Sequence, residues 1–153
     1  MARLDDLLPI QRDLLESLDC PTFPDSAFVP PRPLSECRVA LISTAGLMQR
    51  NDDNIAGKSG DYRSFKRGCQ NRDILMNHVS VNFDRTAFAA DANSVLPRQV
   101  LDSLAQDKII AKASDVNYSF MGATEPAQLQ SGVEQLATEL HDADINTVCL
   151  LPV

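Results

Sequence analysis

The feature that most constrains the fold is a short apolar run in the first third of the chain. Residues 38–46 read RVALISTAG, so four apolar side chains in succession are followed by Ser43, Thr44 and Gly46. A strand that is buried on both faces of a parallel sheet has this pattern. The loop at the carboxyl end of such a strand is where α/β folds bind ligands. The sequence therefore predicts a central strand whose exit, at Thr44, Ala45 and Gly46, belongs to a functional crevice.

Three later segments repeat this pattern of an apolar strand followed by a turn. They are His78–Phe83 before Asp84-Arg85-Thr86, Asn117–Met121 before Gly122, and Asn146–Val153. Parallel strands present their carboxyl ends at one edge of a sheet. We therefore expect Asp84, Arg85 and Gly122 to face the same crevice as Gly46. A salt-bridged turn is the structural alternative for Asp84 and Arg85.

Helical periodicity alternates with these strands. It predicts helices over residues 9–18, 97–107 and 124–141, and a short return strand at Ile109–Ile110. The polar segment 47–72 is predicted to be a long loop that is the least ordered interior part of the chain. The fold class that follows is α/β, a mostly parallel sheet with helices on both faces and Rossmann-like layering, but without a dinucleotide fingerprint.

Prolines divide the chain into two parts. Five prolines lie between Cys20 and Pro33, and this density predicts an extended connector, because proline fixes φ and lacks an N–H donor. We expect residues 1–33 to form an N-terminal helix and a proline-rich connector, and residues 34–153 to form the α/β domain. The helix would be an arm that docks on the domain or on a neighbouring chain.

Composition bounds the partners and the location of this chain of 153 residues. Its net charge of −7 argues against a nucleic-acid partner, which needs clustered Lys and Arg. No apolar run approaches the roughly 20 residues of a membrane helix, and the acidic N-terminus does not resemble a signal peptide. We therefore expect a cytoplasmic protein with no membrane partner. The four cysteines form no C-x-x-C pair, which argues against a metal site or a redox pair, and Cys149 is predicted to be a small core residue.

Several of these segments together resemble the selenoprotein B family of glycine, sarcosine, betaine and D-proline reductases. The resemblance covers residues 33–153 and is carried by the order and spacing of short motifs. They are Pro33-Leu34-Ser35-Glu36, RVALISTAG at 38–46, Asp61-Tyr62-Arg63, Asp84-Arg85-Thr86, Val95-Leu96-Pro97 with Leu101 and Leu104, Tyr118-Ser119-Phe120-Met121-Gly122, and Leu150-Leu151-Pro152-Val153.

The resemblance implies a substrate pocket at the strand exits. The positions that correspond to its edge are Thr44, Ala45, Gly46, Asp84, Arg85, Thr86, Ser119 and Gly122. In that family a selenocysteine or cysteine follows the last strand and attacks the α-carbon of a small amine. A partner subunit carries a pyruvoyl group that holds an amine substrate. The resemblance therefore implies a pyruvoyl-type partner or self-association, a small amine or carboxylate substrate, and no catalytic residue or cofactor within these 153 residues.

The family's redox residue would follow Val153, which is the last residue of this sequence. We therefore expect the chain to be the N-terminal part of a longer selenoprotein, cut at a UGA codon and inactive as it stands. The function expected from the resemblance is a subunit or fragment of a reductase that cleaves a carbon–heteroatom bond. Two alternatives stay open: a non-catalytic module that binds small carboxylates, and a cofactor-free racemase or lyase that uses Cys149 or Asp84.

Overall fold

The computed structural model describes residues 4–18, 22, 26–27, 29–30, 32–53, 60–80 and 85–153. Its contacts divide the chain into two units, residues 1–31 and 32–153. In the first unit, helix α1 (Pro9–Glu16) begins at a proline. Proline is tolerated in the first turn of a helix, because the backbone N–H that it lacks would have no acceptor within the helix. No residue of α1 is buried.

The second unit alternates strands and helices, as the sequence pattern indicated. Its strands are β1 (Arg38–Ser43), β2 (Leu47–Gln49), β3 (Tyr62–Lys66), β4 (Ile74–Met76), β5 (Lys112–Ala113), β6 (Val116–Phe120) and β7 (Thr147–Leu151). Its helices are α2 (Thr86–Ala90), α3 (Arg98–Gln106) and α4 (Pro126–Asp142).

The central strand β1 organises the main sheet. Strand β7 runs parallel to it along Val39–Ser43, and therefore occupies one complete edge of β1. On the other edge, β5 pairs with the start of β1 and β6 pairs with its end, both in parallel. Strand β3 continues the sheet by antiparallel pairing with β6. A separate antiparallel pair is formed by β2 and β4.

The side chain of Asn117 spans the interval between β5 and β6 on the edge of β1. These two strands leave the N–H of Leu41 without a backbone acceptor, and Asn117 Oδ1 accepts from it at 2.8 Å. Asn117 is buried, so this bond satisfies a backbone donor that has no access to water. A polar residue within an apolar strand thus completes the hydrogen bonding of the central strand.

Helices cover both faces of the sheet. Val39 and Leu41 of β1 share a buried cluster with Leu101, with Leu104 packed against it, which puts α3 on one face. The alternate residue Ile42 packs with a second cluster that includes Leu136 of α4. The expected α/β class, with a mostly parallel sheet and helices on both faces, is confirmed.

Several local predictions are wrong. The segment 47–72 is not one loop, because it contains β2 and β3. The return strand forms at Lys112–Ala113 and not at Ile109–Ile110, which lie in a bend after α3. His78–Ser80 is not a strand, and the rest of that predicted strand lies outside the described residues.

Strand β7 differs most from expectation. It was predicted to be a buried strand, but it lies at the edge of the sheet, and Cys149 is exposed rather than part of the core. Its apolar composition resembles that of β1, so the sequence pattern alone does not distinguish the central strand from the edge strand.

Candidate functional site

The exits of β1 and β6 are joined by backbone hydrogen bonds. Gly46 donates its N–H to the carbonyl of Phe120 at 2.8 Å, and Gly122 donates to the carbonyl of Thr44 at 2.8 Å. Between them, Ala45 and Met121 form an isolated antiparallel bridge. The chain that leaves β1 therefore crosses the carboxyl end of β6, and brings Thr44, Gly46 and Gly122 together as predicted from the strand order.

Gly46 is required at this crossing. Its φ of +62° lies in the left-handed region, which residues with a Cβ rarely adopt. A Cβ at this position would also lie 2.8 Å from Met121 Cε and 3.2 Å from the Cα of His78. The small residue at the end of the central strand thus permits close packing of the segment that carries His78.

Arg85 is held beside the same turn. The carbonyl of Gly46 accepts the N–H of Asn77 at 2.9 Å, which fixes the next residue, His78. The guanidinium of Arg85 donates from Nη2 to the carbonyls of His78, at 2.6 Å, and Ser80, at 3.2 Å. Arg85 is exposed, and these two carbonyls hold its guanidinium at a position open to solvent.

The end of β7 reaches the same region. Thr44 Oγ1 accepts from the N–H of Val153 at 2.9 Å and lies 3.4 Å from the carbonyl of the same residue. The N–H of Thr44 donates to the carbonyl of Leu151. The exits of β1, β6 and β7 therefore meet at Thr44. We call the group Thr44, Ala45, Gly46, His78, Arg85 and Gly122 the strand-end site.

The remaining predicted residues are placed differently. Asp84 lies outside the described residues. Thr86 is exposed at the start of α2, directly after Arg85. Ser119 is fully buried, and its hydroxyl accepts from the N–H of Leu47 at 3.0 Å. Ala45 is also fully buried. Ser119 and Ala45 therefore help to hold the turn that follows β1.

His78 belongs to this site, although the sequence predicts it only as the first residue of a strand. Its side chain is buried, and Nδ1 accepts from the N–H of Ser80 at 3.1 Å. Burial lowers the pKa of His78, and the nearby charge of Arg85 lowers it further. The neutral ring, with its proton on Nε2, is therefore the favoured form. A lone histidine beside a predicted strand gives no signal of this packing.

A polar cavity of about 390 Å³ lies elsewhere, beside β3 and α4. Its wall includes the motif Asp61-Tyr62-Arg63. Tyr62 donates to Glu139 Oε1 at 2.6 Å, and Gln135 Nε2 donates to the same oxygen at 3.3 Å. Burial and the hydrogen bond to Glu139 raise the pKa of Tyr62, and burial raises that of Tyr118. Both phenols are thus held protonated, and the motif joins β3 to α4.

Two further features bear on the chemistry available. Within the described ranges, no group of three or more His, Cys, Asp or Glu side chains could hold a metal ion. No helix in that same part of the chain is both long and apolar enough to cross a membrane.

The fold and the strand-end site define a class: an α/β protein whose candidate binding residues meet at the carboxyl ends of parallel strands. Residues 18–152 match the family described as glycine/sarcosine/betaine reductase selenoprotein B (GRDB), and the chain belongs to this family. It is also similar to the glycine reductase complex component B subunit gamma of Symbiobacterium thermophilum, with 28% identity over 131 residues.

The alignment covers 80% of this chain but 30% of that relative, so the chain spans less than a third of the relative's length. No solved structure matches the chain. The family resemblance inferred from the sequence motifs is thus confirmed.

Proposed function

We propose that the chain forms part of a reductase that cleaves a carbon–heteroatom bond of a small amine such as glycine, sarcosine, betaine or D-proline. Membership of the GRDB family is the observation that carries this proposal. The similarity to a component of a glycine reductase complex supports action within a complex, with a pyruvoyl-type subunit as the proposed partner.

Within that function, the strand-end site is proposed to bind the substrate carboxylate. The guanidinium of Arg85 is exposed, and its Nη2 is anchored by the carbonyls of His78 and Ser80. A guanidinium carries five N–H donors and a permanent positive charge, so Arg85 is a suitable partner for a carboxylate. Gly46 and Gly122 allow the chain segments beside it to pack closely against one another. We propose that Asp84 and Thr86 complete this edge, together with Thr44, Ala45 and Ser119, which hold the turn.

The position of Val153, which follows β7, also supports substrate binding at the strand-end site. Thr44 holds the backbone of Val153 at the strand-end site. A selenocysteine or cysteine at the position that the family resemblance implies, after Val153, would therefore lie next to this site. Such a residue would supply the nucleophile, and the residues of this chain would bind and orient the substrate.

Substrate binding tests this proposal. Calorimetric titration of the chain with glycine, sarcosine, betaine and D-proline is expected to detect binding of at least one of them. Arg85→Lys is expected to weaken that binding about tenfold, or ~1.4 kcal/mol, because a lysine ammonium cannot replace the planar guanidinium that is held by the carbonyls of His78 and Ser80. The same titration after mixing with the other components of a glycine reductase complex tests the dependence on partners.

Arg67→Lys is the matched control. The guanidinium of Arg67 binds Asp102 at 2.6 Å and lies 3.5 Å from Asp115, which precedes β6 at the opposite end of the strand from Gly122. Its replacement should leave the affinity unchanged. Equal affinities for the wild-type chain and the Arg85→Lys variant would contradict the carboxylate role. Binding without consumption of a reductant by the assembled complex would favour the non-catalytic binding module.

A further inference from the structure

Strand β7 is apolar and open to solvent. Val148 is 42% exposed and Leu150 is 67% exposed, and Cys149 between them is exposed as well. Among the described strands, β7 pairs with β1 alone, so its outer edge has no neighbour there. An exposed edge of this kind is a template for pairing with another strand.

The helices on the two faces stop short of β7. Helix α3 contacts β5, which lies on the opposite edge of β1 from β7. An apolar cavity of about 370 Å³ is left between α3 and the face of β7 that carries Cys149. On the other face, α4 packs on Tyr118 and Phe120 of β6. A second cavity, of about 290 Å³, lies between the end of α4 and Val148.

We propose that β7 is the docking surface for a strand-and-helix segment of polypeptide, whose strand pairs with β7 and whose helix fills the cavity beside α3. The segment assigned here is one from the part of the GRDB-family protein that this chain does not match. That part is large, since the alignment covers 30% of the Symbiobacterium thermophilum relative. The inference rests on family membership and on β7, and it is independent of the substrate-binding role of Arg85.

A second copy of the chain fits this surface less well. Pairing of β7 with its counterpart across a two-fold axis would separate the two β1 strands by three strand spacings, about 14 Å. The two α3 helices would then be farther apart than the roughly 8–10 Å of packed helices. The apolar cavities beside Cys149 would stay open. A strand accompanied by its own helix fills both the edge and the cavity.

The test uses the accessibility of Cys149. The full chain is mixed with a polypeptide that carries the sequence of the Symbiobacterium thermophilum relative outside the aligned region. Modification by N-ethylmaleimide is then followed on the peptide that contains Cys149. We expect at least a tenfold slower modification, together with slower amide exchange across 147–151. The same rates with and without that polypeptide would overturn the proposal.

A lysine variant makes the test specific to the cavity beside α3. Val100 lines this cavity with Cys149 and is 54% exposed, so Val100→Lys is expected to abolish the protection of Cys149, because a charge in an apolar cavity opposes burial. Val133→Lys is the matched control, since Val133 is exposed on α4, which packs on the other face of the sheet. Protection that survives Val100→Lys would contradict this surface. Protection of Cys149 in the chain alone, rising with its concentration, would replace the proposed segment with a second copy.

Discussion

At the scale of single residues, buried polar groups determine how the strand ends are held. The hydroxyl of Ser119 accepts from Leu47, and the amide oxygen of Asn117 accepts from Leu41. His78 accepts from Ser80 and presents its carbonyl to Arg85. Each of these side chains satisfies a backbone N–H donor, and the donors of Leu41 and Leu47 are buried. The geometry of the strand-end site therefore depends on polar residues in otherwise apolar segments.

We expect His78 to make the stability of the fold depend on pH. Burial lowers its pKa in the folded chain, so the unfolded chain binds a proton more readily. The free energy of unfolding should therefore be constant above the ordinary histidine pKa of about 6.5 and decrease as the pH falls below it. Urea unfolding at pH 7.5, 6.5 and 5.5 measures this decrease. His78→Asn, which keeps an acceptor for Ser80, should reduce the decrease.

His141→Asn is the control for this measurement, because its side chain is 91% exposed at the end of α4. The decrease in stability should be the same in this variant as in the wild-type chain. An unchanged pH dependence in His78→Asn would assign the effect to other groups.

At the scale of elements, the contact between the segment before β3 and α4 is unusually close. A Cβ on Gly132 of α4 would collide with the carbonyl oxygen of Gly60, and a Cβ on Gly60 would collide with the carbonyl oxygen of Gln128. Backbone atoms cannot move away as a flexible side chain can. The two glycines thus allow the chain to cross α4 next to the polar cavity.

Gly132→Ala tests this packing. Alanine favours a helix over glycine by roughly 0.5–1 kcal/mol, but a forced displacement of packed backbone costs about 1–3 kcal/mol. We expect the clash to dominate and the free energy of unfolding to fall by ~1–2 kcal/mol in urea. Ser131→Ala, at the exposed neighbouring position, should change it little. Stabilisation by Gly132→Ala would mean that the segment before β3 is free to move away.

The sequence predicts elements better than it predicts their surroundings. Periodicity locates α3 and α4, and the apolar run locates β1, because these patterns arise within the element itself. The segment 47–72 conceals β2 and β3, because short strands with polar residues lack a clear period. The meeting of Thr44, Gly46 and Gly122 follows from parallel strand order. The contact of His78 with this turn depends on tertiary packing, which leaves no local pattern.

At the scale of the whole molecule, the buried hydrophobic core lies within one unit. Among the described residues, the buried apolar side chains run from Cys37 to Leu136. The apolar residues of α1, by contrast, are exposed, with Ile10 at 78%. Since burial of apolar surface is the main favourable contribution to folding, the stability of the α/β unit should come from residues 32–153.

Deletion of residues 1–31 tests whether the stability of the α/β unit comes from residues 32–153. The shortened chain should keep the same urea midpoint and the same denaturant slope, because that slope follows the surface exposed on unfolding. Removal of residues 147–153 instead should lower stability severely, since β7 pairs with β1 along Val39–Ser43 and Thr44 holds Val153. A loss of more than about 1 kcal/mol on deletion of 1–31, a large effect for one domain, would show that the N-terminal unit stabilises the sheet.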